Sequence, residues 1–393
     1  MRALWVSSYS PFPPESGGEL RVHHLLKGAI AAGIEVELWV IDEEGRGAAD
    51  PGWPGLTVVT LTQRRRDSPA DKARAVASGR AEYAWALRTP ETLARTAGLQ
   101  PGAFDVVVLE HAHAGGLAAE LARVAPLVLD AHNVEWRVAG QMSRHAARLH
   151  RRVRFALESA RTRRLEADLM ARCALVAAVS EADATAFRAL GGSARVVVRP
   201  NGVDLAAIPW RDHTMAAGAR VLMTGHLGYL PNVDAATWLC GEILPELRKL
   251  VPEVRLRIAG RAPTAEVRAA VAAANATLLA DVLDMPGVLG AADVFIAPLR
   301  MGGGTRIKVL EALAAGLPVV ATDVAIEGLD LPDSDLVLLA NSPARLAQAV
   351  RDALTDTEHR RRVGRAGREF VERNHSWEEI GAAFAADLER VAK

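Results

Sequence analysis

Short apolar runs alternate with helical stretches along the whole of this chain, and that rhythm leaves few architectures open. In the first half, Ala3–Ser7, Glu35–Ile41, Thr57–Leu61, Asp105–Leu109, Leu127–Asp130, Leu175–Val179 and Arg195–Arg199 read as strands. In the second half, Arg220–Thr224, Arg255–Ala259, Ala276–Ala280, Val294–Ala297, Val319–Ala321 and Leu336–Leu339 do the same. Runs this short and this apolar suit strands buried on both faces, and the helices between them supply the cover. The pattern predicts α/β units with parallel sheets. It recurs in both halves of 393 residues, so two doubly wound, Rossmann-like domains are expected. Their expected bounds are 1–203 and 204–375. The segment from Asp204 to Ala219, with Pro209 and Gly218 and no clear period, marks the junction. A last helix over 376–393 carries Trp377, Ile380, Phe384 and Leu388 on one face and must pack on one of the domains. Ligands in such sheets bind beyond the carboxyl ends of the strands. With two domains, the cleft between them is the expected site.

Charge narrows the partners. The chain carries 47 basic and 47 acidic residues, a balance that argues against a general nucleic-acid binder. Residues 1–200 hold 26 Lys and Arg against 22 Asp and Glu, a mild excess suited to an anionic acceptor or a membrane surface. Ser143–Arg172 reads as one long basic helix with either a solvated or a membrane-facing side. The two cysteines, Cys173 and Cys240, sit in apolar surroundings and read as buried thiols of a reducing compartment. No run of 18 apolar residues exists and the N-terminus lacks a signal-peptide pattern. The expected location is cytoplasmic, with peripheral contact at the inner membrane face left open.

The densest chemistry lies in Pro298–Pro318, which reads as strand end, glycine loop, helix and stop. Gly302, Gly303 and Gly304 let the backbone approach a ligand, and Thr305 is placed to cap the helix. Gly316 ends that helix and Pro318 prevents its continuation. Arg306 and Lys308 stand in the first turn, where cations oppose the helix dipole, so they are expected to face an anion such as a diphosphate. Glu311 lies further along and is placed to reach a sugar hydroxyl.

Other motifs fall at strand ends. Gly17-Gly18, with Arg21 following, opens the first helix and reads as an acceptor or phosphate loop. Glu110-His111-Ala-His113 follows the fourth strand; its histidines suit contact with a reacting sugar, and no third metal ligand is clearly placed. Asp130-Ala-His132-Asn133-Val-Glu135 reads as a ligand-facing loop, although Asn133 is also suited to cap the next helix. Gly225-His226-Leu-Gly228 precedes Asn232, a candidate cap for a helix from Val233. Arg261 and Glu327 are further candidates for phosphate, base or hydroxyl contacts.

Taken together, these segments resemble the GT-B glycosyltransferases of family 4, also called glycosyltransferases group 1. The resemblance rests on Gly17-Gly18, the turn Arg199-Pro-Asn201-Gly202-Val-Asp204, and the run from Ala297 to Thr322. Within the family it is nearest to a subgroup with a Gly-Gly-Gly-Thr-Arg-x-Lys loop, a Pro231-Asn232-Val-Asp234-Ala235 stretch and an Asn374-His-Ser-Trp377 ending. The resemblance implies retaining transfer of a sugar from a nucleoside-diphosphate donor to a hydroxyl acceptor. That acceptor would be a glycan, a lipid-linked precursor or a small molecule, and no metal or other cofactor would be needed. It implies donor contacts from Gly225, His226, Arg261, the glycine loop, Glu311 and Glu327. His113 or His111 would lie near the reacting sugar, and attack would come from the front face through an oxocarbenium-like state. Two departures stand out. The first Glu of the family's Glu-x₇-Glu motif is Gly303 here, and the usual Arg and Lys after the second domain's first strand are replaced by His226 and Asn232. Arg306 and Lys308 are then the expected substitutes for the clamp on the leaving diphosphate, where donors aimed at developing charge matter most.

Two other readings remain at this point. A nucleotide-sugar epimerase can share the architecture, since fold does not fix function. A non-catalytic nucleotide-sugar-binding subunit would also tolerate Gly303, His226 and Asn232.

Overall fold

A computed structural model describes the chain except for Glu15, residues 43–49 and 65–68, Ala147, residues 212–217, Gly304, Thr305 and residues 332–335. It divides into two compact units, one formed by Met1–Pro200 with Glu378–Lys393 and the other by Asn201–Trp377. No helix among the described residues is long and apolar enough to cross a membrane.

The first unit is built on a seven-stranded sheet of β1 (Arg2–Ser7), β2 (Glu35–Asp42), β3 (Leu56–Thr62), β4 (Val106–Glu110), β5 (Leu127–Ala131), β6 (Cys173–Ala178) and β7 (Arg195–Val198). The spatial order is β3-β2-β1-β4-β5-β6-β7, and all pairs are parallel. The order reverses between β1 and β4, where Trp5 lies beside both Leu38 and Val108. That reversal is the switch point at which ligands enter doubly wound sheets. β4 and β5 are buried at every residue, which is why they read as continuous apolar runs. Helix α1 (Gly17–Ala31) follows β1, and the Ser16 hydroxyl caps it by accepting from the Glu19 N–H.

The basic stretch forms two helices, not one. Helix α2 (Glu135–His145) stops at Ala146, and helix α3 (Leu149–Arg172) restarts three residues later. Tertiary bonds hold the break: Ser143 Oγ donates to the Arg152 carbonyl at 2.8 Å and Ser159 Oγ to the Trp136 carbonyl at 2.7 Å. The Glu166 carboxylate in α3 accepts from the N–H groups of Glu135 and Trp136 at 2.8 and 3.2 Å. It therefore does the capping expected of Asn133, whose amide instead donates to Glu135 at 3.0 Å.

The second unit holds a six-stranded parallel sheet of β8 (Arg220–Thr224), β9 (Arg255–Gly260), β10 (Thr277–Ala280), β11 (Val294–Ala297), β12 (Val319–Ala321) and β13 (Val337–Leu339). Its order, β10-β9-β8-β11-β12-β13, repeats the same reversal between β8 and β11. Helix α4 (Leu230–Trp238) follows β8 and helix α5 (Ile307–Ala314) follows β11. α4 starts three residues before the expected position. Asn232 is therefore inside the helix and does not cap it.

The last helix, α6 (Trp377–Ala392), packs from Glu378 onward on the first unit. Phe384 tilts against Trp5 with ring centroids 5.8 Å apart. Asp387 is buried and binds Arg195 at 3.0 Å and Arg199 at 2.5 Å. Gly28 of α1 and Gly381 of α6 meet backbone to backbone, and a Cβ on Gly28 would lie 2.6 Å from Gly381. Both cysteines are free and buried, and burial pushes Cys173 up to about 12 and Cys240 up to about 11.

Candidate functional site

Two groups of polar side chains stand at the carboxyl ends of the sheets, one at each reversal of strand order. In the first unit, β4 ends in Glu110 and β5 carries Asp130, both fully buried. The Trp5 indole N–H donates to Glu110. His132 Nε2 lies 2.8 Å from Glu110 and 3.1 Å from Asp130. Tyr9 Oη is 3.4 Å from His132 Nδ1. Burial, and then the neighbouring Asp130, push the Glu110 carboxyl well above its usual range. Asp130 goes the other way: Arg21 and His132 hold it below its usual range against the cost of burial. Burial lowers His132. The opposed shifts of the two carboxyls follow from one arginine favouring Asp130.

Arg21 was expected on a ligand-facing loop, and the structure corrects this. Its side chain is fully buried and binds Asp130 through Nε at 2.8 Å and Nη2 at 2.5 Å. It also donates to the Arg199 and Pro200 carbonyls at 2.9 and 3.1 Å. Its charge is spent inside the unit, tying α1 to β5 and to the end of β7. Gly18 does face the cluster: a Cβ there would lie 3.0 Å from Tyr9 Oη and 3.4 Å from His132 Nδ1. Gly17 is exposed.

His111 follows Glu110 with φ +61°, a left-handed conformation that a side chain rarely adopts. It stacks on His113 at 4.9 Å between ring centroids and tilts against His132 at 3.8 Å. Tyr83 covers the far face of His113 at 4.1 Å. Glu135 lies 3.4 Å from His111 Nδ1, and these histidines together with Asn133 bring its carboxyl down to about 2 despite burial. In sequence no third ligand is clearly placed for the His-x-His pair, and the fold brings Glu135 beside it. His111, His113 and Glu135 bring ligand atoms within 4.8 Å of one another, and so do Glu110, Asp130 and His132.

In the second unit the loops after β8, β9 and β11 meet. Lys308, in the first turn of α5, reaches back to the β8 loop and donates to Asn232 Oδ1 at 2.6 Å. The Asn232 amide donates to the His226 carbonyl at 3.0 Å. Gly225 lies beneath this pair, and a Cβ there would meet Asn232 at 2.9 Å and Lys308 Nζ at 3.0 Å. Gly260 has φ +151° and carries the loop containing Arg261 past Gly225 so closely that no Cβ fits. Arg306 donates to the Gly303 carbonyl and, at 3.2 Å, to the Val324 carbonyl, so it shapes the glycine loop. Desolvation and the Arg306 charge bring Lys308 down to about 7, while desolvation brings Glu311 up to about 7. Glu327 is exposed at the end of a short helix after β12. The expected contributions of Gly304 and Thr305 lie outside the described residues.

Sequence reasoning missed several members of these groups. Tyr9 and Glu166 belong to no motif, and Asp130 and Glu135 were read only as parts of a loop. Arg300 after β11 was also missed; it pairs with Asp234 at 2.7 Å and lies over the Trp238 ring. The one available signal was position, since Tyr9, Asp130 and Arg300 all lie at or just beyond strand ends.

A family model described as "Glycosyltransferase Family 4" matches residues 16–207, and one described as "Glycosyl transferases group 1" matches residues 218–356. The structure also superposes on sucrose-phosphate synthase from Thermosynechococcus elongatus with a TM-score of 0.73 over 99% of this chain and 98% of the other, at 18% identity. The chain belongs to the GT-B glycosyltransferases of family 4. Among curated family relatives, it is 33% identical over 157 residues to a GDP-mannose-dependent alpha-(1-6)-phosphatidylinositol monomannoside mannosyltransferase of Mycobacterium tuberculosis. That match covers 36% of this chain and 41% of the relative. It is 32% identical over 215 residues to the phosphatidyl-myo-inositol mannosyltransferase of Mycolicibacterium smegmatis, covering 52% of this chain and 54% of the relative. The chain therefore spans about half or less of the length of these two glycosyltransferases.

Proposed function

We propose that this glycosyltransferase moves a hexose, mannose first among the candidates, from a nucleoside-diphosphate sugar to a hydroxyl of a lipid-linked acceptor. Phosphatidylinositol or its mannosides are the acceptor class suggested by the two mannosyltransferase relatives. The single observation that carries the reading is the placement of Lys308. Its ammonium bridges from α5 to the Gly225–Asn232 loop, where two sets of strand-end loops meet. A cation at that point is suited to the charge that builds on a departing diphosphate. Arg306 supports it by holding the glycine loop, and Glu311 on the same helix is suited to a donor hydroxyl. We assign the chain to the Gly-Gly-Gly-Thr-Arg-x-Lys subgroup on the same residues. Retention at the anomeric carbon, front-face attack and independence from metal belong to this reading. So does a cytoplasmic, reducing setting, which the two free buried thiols support.

The test begins with binding. UDP, GDP, ADP and dTDP are compared by thermal shift in the presence of EDTA. A ligand bound only to the native state adds about 2.7 kcal/mol at a hundred times its dissociation constant. A shift with GDP, followed by mannose transfer from GDP-mannose to phosphatidylinositol with the alpha configuration kept, supports the full reading. A shift with no nucleotide removes the donor site. Binding without transfer or hydrolysis favours the non-catalytic subunit, and sugar conversion without acceptor favours the epimerase.

A further inference from the structure

Helix α3 exposes a pattern that donor binding does not use. Leu149, Val153 and Leu157 are 73, 52 and 50% exposed and fall four residues apart, so they form one stripe along the helix. Ala156 and Ala160 extend it. The stripe is about 12 Å long at 1.5 Å per residue. Arginines flank it: at 100° per residue, Arg152 and Arg163 fall on one side and Arg154 on the other, with Arg164 at its far end. Residues 148–164 contain seven arginines and a single carboxylate, Glu158. Glu158 is already engaged by the Glu82 N–H at 2.7 Å and Arg161 at 3.8 Å. Arg154 pairs with Glu82, and Arg163 lies over Trp136. Arg148, Arg151, Arg152 and Arg164 are exposed and have no carboxylate within salt-bridge distance among the described residues.

We propose that the first half of α3 docks this protein on an anionic lipid bilayer, lying in the plane of the interface. Charge and apolarity each exclude a simpler explanation. A solvated helix face has no reason to expose three large aliphatic side chains in register. A purely electrostatic site for a polyanion has no use for them either. A bilayer surface takes both, the aliphatics at the acyl boundary and the guanidinium groups among lipid phosphates. The opposite face of α3 buries Thr162, Glu166, Leu169 and Met170 in the first unit, which anchors the helix beyond the stripe. This goes beyond the glycosyl-transfer reading and stands independently of it.

The test uses the full-length protein and vesicles, with no donor and no turnover, so its outcome is separate from that of the activity assays. Co-sedimentation is measured with phosphatidylcholine alone and with added phosphatidylglycerol. The expected result is binding to the anionic vesicles only, weakened by salt. Val153→Glu/Leu157→Glu and Arg152→Glu/Arg164→Glu should each reduce partitioning about tenfold or more. These side chains are exposed, so both variants should keep the parent's thermal stability. Arg361→Glu/Arg362→Glu, on the exposed face of a second-unit helix, should bind as the parent does. Failure to bind anionic vesicles overturns the proposal and points to an acidic protein partner instead. Equal binding to neutral vesicles overturns the role of the arginines. Unchanged binding by Val153→Glu/Leu157→Glu overturns the role of the stripe.

Discussion

Lys308 Nζ and Asn232 Oδ1 meet at 2.6 Å across 76 residues of sequence, joining the helix after β11 to the loop after β8. The contact sets a half-buried amino group against a neutral side chain. An anion that enters the loop therefore finds an oriented amine, bonded to no carboxylate among the described residues, that it can hold in the protonated form. Lys308→Ala should lower nucleoside-diphosphate affinity and turnover by about 100-fold or more, the scale for losing a donor aimed at developing charge. Asn232→Asp should also weaken binding, because it converts the positioning contact into a competing ion pair. Isothermal titration with the nucleotide chosen by thermal shift checks both. Full affinity in Lys308→Ala would remove Lys308 from the site.

The same pair sets a pH dependence. Lys308 is brought down to about 7 and Glu311, on the same helix, up to about 7. Above pH 7 the free protein therefore favours a neutral amine and a charged carboxylate, both unfavourable to an anion. Binding a diphosphate must raise both values, so protons are taken up. Affinity should fall as pH rises from 7 to 9, and the observed heat should vary with buffer ionisation enthalpy in the direction of proton uptake. Lys308→Arg, which stays charged at all these pH values, should lose the part of that fall that the amine contributes and keep the part due to Glu311.

Arg21 and Asp130 predict a stability effect of a different kind. The pair is fully buried, bidentate and backed by two backbone carbonyls. Breaking such a pair from one side strands a buried charge and costs about 3–5 kcal/mol. Arg21→Ala and Asp130→Asn should both lower the urea midpoint strongly, without needing any ligand to show it. Asp130 titrates below its usual range in the folded protein, so the sign is clear. Its contribution is present above the unfolded value and is lost as pH falls through the folded one. The parent should lose stability on acidification more steeply than Asp130→Asn. Equal slopes would mean that the pair does not govern acid stability.

Much of this architecture can be read from the chain because buried parallel strands write themselves as apolar runs. Val106–Glu110 and Leu127–Ala131 are buried at every position, and no turn chemistry obscures them. The ligand-facing loops are legible for a related reason, since the carboxyl end of each strand is where polar residues stop being packed. Contacts that close over long separations were not legible. Arg21 follows a glycine pair and looks like part of a phosphate loop, but its carboxylate lies 109 residues away. Asn232 has the residue type and spacing of a cap, yet Lys308 claims its side chain. The break between α2 and α3 has no Pro or Gly to announce it at residues 146–148. It is held by two serines bonding to backbone carbonyls of the neighbouring helix, while Glu166 caps the start of α2. In each case a local propensity was overruled by a tertiary hydrogen bond.

Gly28 and Gly381 test how the last helix is held. Their backbones touch where α1 crosses α6, and a Cβ on Gly28 would come within 2.6 Å of the Gly381 backbone. Backbone cannot rotate aside as a side chain can. Gly28→Ala should therefore push α6 outward and cost about 1–3 kcal/mol, the range for overpacking a close contact. In an ordinary helix interior the same change would stabilise by up to about 1 kcal/mol. A gain in stability, measured by urea denaturation, would show that the crossing is looser than this distance implies.

His111 allows conformation to be separated from chemistry. Its φ of +61° lies where non-glycine residues pay about 1–2 kcal/mol, and its ring is held between His113 and His132. His111→Ala and His111→Gly both remove the ring, but only the glycine relieves the backbone. The glycine variant should therefore be the more stable by roughly 1 kcal/mol, its greater unfolded-state entropy offsetting part of the relief. If the imidazole takes part in transfer, both variants should lose turnover to the same degree despite that difference. If His111 serves only to shape the loop, His111→Gly should retain more activity than His111→Ala, in step with its stability. Urea midpoints and initial rates on the same preparations decide between the two roles.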